Sequence, residues 1–126
     1  MAGFRDLRAW QRSMDLALMV YRLTKSWPAD EKFGLTNQAR RSATSIPSNL
    51  AEGQGRGGNN EFRHFTQVAH GSLCELRTQI ELGHLVGYVS RDQFAEFEVL
   101  AIEVGNILGG LIRHLSTNEG PSSSVS

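Results

Sequence analysis

The stretch from Gly34 to Arg56, GLTNQARRSATSIPSNLAEGQGR, limits the possible folds more than any other part of the chain. Apolar or small residues recur at Leu35, Ala39, Ser42, Ile46, Asn49/Leu50 and Gly53, the three-and-four spacing that keeps one helix face on a core. Arg41, Ser45, Ser48, Glu52 and Arg56 fall on a second, polar stripe beside that seam. Pro47 lacks an N–H, and its ring clashes with the carbonyl of Ala43. The core phase nevertheless passes through it without a slip, so the spacing predicts one kinked helix rather than two. A local rule broken beside a polar stripe points to a fixed structural or binding role.

Three further helices account for most of the remaining chain. The first is predicted over about residues 6–26, with Leu7, Trp10, Met14, Ala17/Leu18 and Tyr21 as its inward face. Leu16, Met19, Val20 and Leu23 make that helix apolar over more than one stripe, and Trp27-Pro28 follows its end. The second helix, 34–55, stops in the glycine-rich run Gly53 to Gly58. The third, 59–86, is expected to be capped by Asn59 or Asn60 and to bury Phe62, Phe65/Thr66, Ala69, Leu73, Leu76, Ile80 and Gly83. The fourth, 90–115, opens on the capping box Ser90-Arg91-Asp92-Gln93, with Val89 and Phe94 placed as a hydrophobic staple. Its seam is Phe94, Phe97, Ala101, Val104, Leu108, Leu111 and Leu115. Short connections make consecutive helices antiparallel, which gives an all-α, up-down-up-down four-helix bundle. Residues 116–126 lack periodicity and read as a disordered tail.

The length, 126 residues, suits one domain with one core. No apolar run approaches the roughly 18 residues needed to cross a bilayer, and no signal-peptide stretch opens the chain. The expected compartment is therefore the cytoplasm. The lone Cys74, beside Leu73, reads as a core or near-core thiol. Net charge is zero but uneven: residues 1–63 hold ten basic against six acidic side chains, and residues 64–126 three against seven. A basic face from the first two helices fits that asymmetry, as does mutual neutralisation across subunits. The overall balance weighs against strong nucleic-acid binding.

Several short patterns carry a family resemblance. They are Phe4-x-x-Leu7-x-x-Trp10; Tyr21-x-Leu23-Thr24 with Pro28; and Gly34-Leu35-Thr36-x-Gln38-x-Arg40-Arg41-Ser42-Ala43. Then follow Ser45-Ile46-Pro47-Ser48-Asn49-x-Ala51-Glu52-Gly53, Gly55-Arg56, Phe62-x-x-Phe65, Ala69-x-Gly71-Ser72-Leu73-x-Glu75-Leu76 and Leu85-x-Gly87-Tyr88. Over residues 4 to about 90 the chain resembles the four-helix-bundle proteins encoded within intervening sequences of bacterial 23S rRNA genes. Those in turn resemble the accessory proteins of diversity-generating retroelements. The resemblance implies a homopentamer, a ring of five bundles. In the retroelement branch it implies association with nucleic acid or a reverse transcriptase. It implies no known catalytic activity.

Chemistry-bearing patterns are few. Glu61-x-x-His64 and Glu81-x-x-His84 have the spacing of di-iron bundles, but both lie on the third helix, about 20 residues and ~30 Å apart. His70 and His114 have no partner at ligand spacing. The glycines from Gly53 to Gly58 follow a helix and lack a Gly-Lys-Ser/Thr, so they do not make a phosphate loop. No enzyme, metal or cofactor is predicted. Arg40, Arg41 and Arg56 are the candidates for contacting RNA or DNA phosphates. Ser45, Pro47, Ser48, Asn49, Glu52 and Gly53 form the candidate structural or interface motif, with Glu52–Arg56 as an i,i+4 ion pair. Ser45, Ser48 and Asn49 are placed to satisfy carbonyls freed by Pro47 or to bond a neighbouring subunit. For Arg40 and Arg41 the binding and structural readings stand level. Gly105, Gly109 and Gly110, with Val99, Ile102 and Ile107, give the fourth helix more apolar width than one core uses, which predicts a subunit interface. Two functions follow: a non-catalytic RNA- or DNA-associated oligomer, or a protein-interaction scaffold with little nucleic-acid affinity.

Overall fold

The computed structural model describes residues 3–118, with the side chains of residues 117 and 118 left out. Four helices carry it: α1 (Arg8–Thr24), α2 (Leu35–Gly55), α3 (Asn59–Leu85) and α4 (Arg91–Asn118). Single 3-10 turns, Phe4–Asp6 and Ala29–Glu31, precede α1 and α2. Among the described residues there is no strand. Each helix packs on two neighbours in the cycle α1, α2, α3, α4, with no diagonal pair in contact. α1 starts later and α4 runs further than the sequence suggests, since residues 116–118 are helical. The rest of the expected tail lies outside the described residues.

α2 is continuous across Pro47, which is buried. The other buried residues of α2 are Thr36, Ala39, Ser42, Ala43, Ile46, Leu50 and Gly53, the expected seam with Thr36 and Ala43 added and with Leu35 and Asn49 only partly buried. Thr66, Ala69, Leu73, Leu76, Ile80 and Gly83 complete the core from α3, and Phe97, Ala101, Val104, Leu108 and Leu115 from α4.

On α1 the buried stripe differs from the expected one. Ala9, Ser13, Leu16, Ala17, Val20, Leu23 and Thr24 point inward. Met14, Leu18 and Tyr21 remain 37%, 50% and 43% exposed. A helix apolar around much of its circumference has two candidate inward faces, and the one containing Ser13 is buried. The Ser13 hydroxyl donates to the Ala9 carbonyl (2.6 Å), so its burial leaves no polar group unmet.

The helix ends follow local chemistry. Ser90 Oγ accepts from the Gln93 N–H (3.1 Å) and Gln93 Oε1 from the Ser90 N–H (2.9 Å), the predicted reciprocal cap of α4. α3 is preceded by Gly58 with no side-chain cap, contrary to the asparagine cap expected, because Asn59 is already helical. Gly57, at φ 87°, reverses the chain between α2 and α3 in a conformation that favours glycine. At the other end Glu31 joins two loops: Oε1 accepts from the Leu35 N–H (3.1 Å) and Oε2 from the Tyr88 hydroxyl (2.8 Å). Those two bonds hold the Glu31 carboxyl below the usual carboxylate range, the Tyr88 bond contributing most. Beside Tyr88, the buried Trp27 ring covers Gly83, where an added Cβ would lie 2.9 Å from the indole.

Candidate interaction surfaces on the flanks of α2

The flank of α2 that faces α1 is an open, apolar groove of about 520 Å³. Trp10, Met14, Leu18 and Tyr21 form its α1 wall, and Pro47 and Ala51 form its floor on α2. Pro47 contributes a flat hydrocarbon surface and no N–H at that point. At the α1 C-terminal end the groove meets a smaller recess of about 260 Å³, lined by Leu18, Tyr21, Arg22, Lys25 and Arg40 with no carboxylate. Arg40 Nε donates to Thr24 Oγ1 (2.8 Å), and its guanidinium lies 4.7 Å from the Tyr21 ring centroid. The Thr24 hydroxyl in turn donates a hydrogen bond to the Val20 carbonyl (2.8 Å). Arg40 therefore has the internal partners that the sequence did not disclose. Among the described residues, Arg22 and Lys25 make no ion pair.

The flank of α2 that faces α3 is polar and closely joined. Ser45 Oγ and Ser72 Oγ lie 2.8 Å apart, and Asn49 Nδ2 donates to both the carbonyl (2.8 Å) and the hydroxyl (2.9 Å) of Ser45. Asn49 thus serves Ser45, not the Ala43 carbonyl freed by Pro47. Arg41, exposed, borders a cleft of about 440 Å³ together with Gln38, Ser45, Ser72, Glu75 and Gln79. The Gln79 side-chain oxygen is buried there without a hydrogen-bond partner. Further along, Gly53 sits against α3 so closely that an added Cβ would lie 2.6 Å from Phe65 Cβ.

The predicted polar row is therefore divided. Arg41 and Ser45 face α3, Ser48 lines the α1 groove, and Glu52 pairs with Arg56. Arg56 Nη2 lies 2.8 Å from Glu52, Nη1 lies 3.4 Å from Glu61, and the guanidinium rests 5.1 Å from the Phe65 centroid. Two carboxylates and a ring occupy it, and its pKa is raised chiefly by the Glu52 hydrogen bond. Arg40, Arg41 and Arg56 do not converge on one surface. The basic recess instead uses Arg22 and Lys25, which follow Tyr21 by one and four residues, Lys25 just past the end of α1. That spacing was visible in the sequence, but Arg40 joins it only through the α1–α2 hairpin.

Arg8 and Arg12, in the first half of α1, are committed elsewhere. Arg12 grips Glu103 of α4 with both Nε and Nη2 at 2.9 Å, Arg8 adds a 3.1 Å contact, and Arg12 also pairs with Asp15. This holds the Glu103 carboxyl below its ordinary range, Arg12 contributing most. Arg77 and Glu98 clasp α3 to α4 in the same two-pronged way, at 3.1 and 2.7 Å. His84 Nδ1 meets the Val89 carbonyl at 2.8 Å and its ring stacks on Phe94, 4.8 Å between centroids. Among the described residues no three His, Cys, Asp or Glu side chains gather as a metal site. Cys74 is exposed, not near-core, because Ser72, Leu73 and Leu76 take the inward positions of that turn. No helix among the described residues is long and apolar enough to cross a membrane. The close approach expected at α4 is internal at Gly105, where an added Cβ would lie 3.3 Å from Leu73 Cδ2.

The family model for the 23S rRNA-intervening sequence protein matches residues 5–110. The chain belongs to this family. A crystal structure agrees in architecture. It is that of a protein with unknown function from the S23 ribosomal protein family of Bacteroides thetaiotaomicron VPI-5482, with a TM-score of 0.77 and 24% identity. The match covers 83% of this chain and 95% of that one, and at this identity it speaks for the four-helix fold alone. No curated protein matches. Both flanks of α2 lie inside the span that the family model covers.

Proposed function

We propose that this family member is a non-catalytic scaffold that assembles from copies of itself through the α1/α2 groove. The observation that carries the reading is the groove: four large apolar side chains of α1, three of them more than a third exposed, beside a proline floor on α2. Contiguous apolar surface of this kind is uncommon on monomers and marks contact sites. The five-membered ring that the resemblance implies is one closed form such an assembly would take. The test is the light-scattering mass of the full chain across a concentration series. A discrete mass several times that of one 13.9 kDa chain is expected, and a monomer at all concentrations would end the proposal.

A second reading is favoured by the basic recess. Arg22, Lys25 and Arg40 around Tyr21 could engage the phosphates and an unpaired base of RNA or DNA. It predicts a mobility shift of single-stranded RNA or DNA at low salt that weakens steeply with added salt and with Arg22→Ala/Lys25→Ala. Absence of any shift at low salt would remove it.

A further inference from the structure

Resting on the self-assembly reading, we infer that the groove is filled by the outer ridge of α4 from a second copy. The ridge is Ala95, Val99, Ile102 and Asn106, which share the face of α4 opposite the buried Phe97 and Val104. Val99 is 71% exposed and Ile102 48%, so apolar surface lies on α4 that its own bundle leaves uncovered. The groove wall repeats every four residues at Trp10, Met14 and Leu18, and the ridge advances by threes and fours, the geometry in which ridges of one helix enter grooves of another. Small floor residues such as Ala51 leave room for the incoming helix.

Charge fixes the direction. The α4 ridge begins with the exposed carboxylates Asp92 and Glu96, and the groove ends in Arg22, Lys25 and Arg40 without a carboxylate. Six residues separate Glu96 from Ile102, ~9 Å along a helix, and eight separate Arg22 from Met14, ~12 Å. With the visiting α4 antiparallel to α1, its acidic start meets the cations while Val99 lies by Leu18 and Ile102 by Met14. Docking covers Arg22, Lys25 and Arg40, so it competes with nucleic acid for the same recess. Groove and ridge are different patches of one chain, so the contact is heterologous and propagates to a ring or a filament.

Arg22 and Glu96 also border the α1/α4 groove of their own chain, so substitutions at the apolar centre give the cleaner test. Leu18→Glu spoils the groove and Val99→Glu the ridge, and both positions are exposed enough to leave the helical circular dichroism unchanged. Each variant alone should run as a monomer by light scattering. Mixed one to one, they should give a heterodimer that grows no further, because one intact groove meets one intact ridge. If the wild type assembles but Val99→Glu assembles equally well, the α4 ridge is not the occupant, although self-assembly stands. If both variants are monomers and the mixture stays monomeric, the groove-to-ridge pairing is overturned. A monomeric wild type would overturn this inference and the reading beneath it together.

Discussion

The two flanks of α2 are built from the same helix and yet have opposite characters. Toward α3, small residues let the backbones approach, with Gly53 against Phe65 and Ser45 hydrogen-bonded to Ser72. Toward α1, larger side chains hold the surfaces apart, and Met14, Leu18 and Tyr21 keep much of their area in solvent. Close packing on the first flank holds the bundle together. The second flank keeps apolar surface that folding does not consume. If the copies assemble as proposed, stability and association are carried by different sides of one helix, and substitutions should separate them.

The largest effect is expected between the flanks, in the core they share. Ile46→Ala removes a fully buried side chain and should cost about 2–5 kcal/mol in urea unfolding. Gly53→Val forces atoms into the α3 contact and should cost about 1–3 kcal/mol by the same measurement. If it proved neutral, the close approach on that flank would be wrong. Ser72→Ala, which removes the partner of Ser45, should cost about 0.5–1.5 kcal/mol. On the other flank Leu18→Glu should leave unfolding stability within about 0.5 kcal/mol while abolishing assembly. A large stability loss there would erase the contrast.

The pH dependence sharpens the picture away from α2. Glu103 and Glu31 have lowered values in the folded chain, so their contribution is complete above the unfolded carboxylate range, about 4.3. It is lost as pH falls through the lower, folded values. Thermal melting from pH 7 to 3 should therefore show falling midpoints at the acid end. Glu103→Gln should flatten that decline and lower the midpoint at neutral pH.

How much could be read in advance depended on how local the cause was. The Ser90–Gln93 cap and the Glu52–Arg56 pair need residues three or four apart, and both form as the spacing predicts. The seam through Pro47 was legible because one narrow stripe of small and apolar residues left a single choice. α1 offered two stripes, so periodicity alone did not select Ala9, Ser13, Leu16 and Val20 over Trp10, Met14 and Tyr21. The partners of Arg40 were hidden for another reason: Thr24 and Tyr21 lie 16 or more residues away, across the hairpin. The same distance hid the basic recess. The polar row was recognised, but its division between two flanks depends on where α1 and α3 sit.

Trp10 and Trp27 divide the chain's indole fluorescence between these roles. Trp27 is enclosed beside Tyr88 and over Gly83, so its emission follows unfolding of the bundle. Trp10 lines the open groove, so its emission responds to whatever enters there while the fold stays intact. The native chain thus carries its own pair of optical reporters, and a Trp27→Phe variant would leave only the one that watches occupancy.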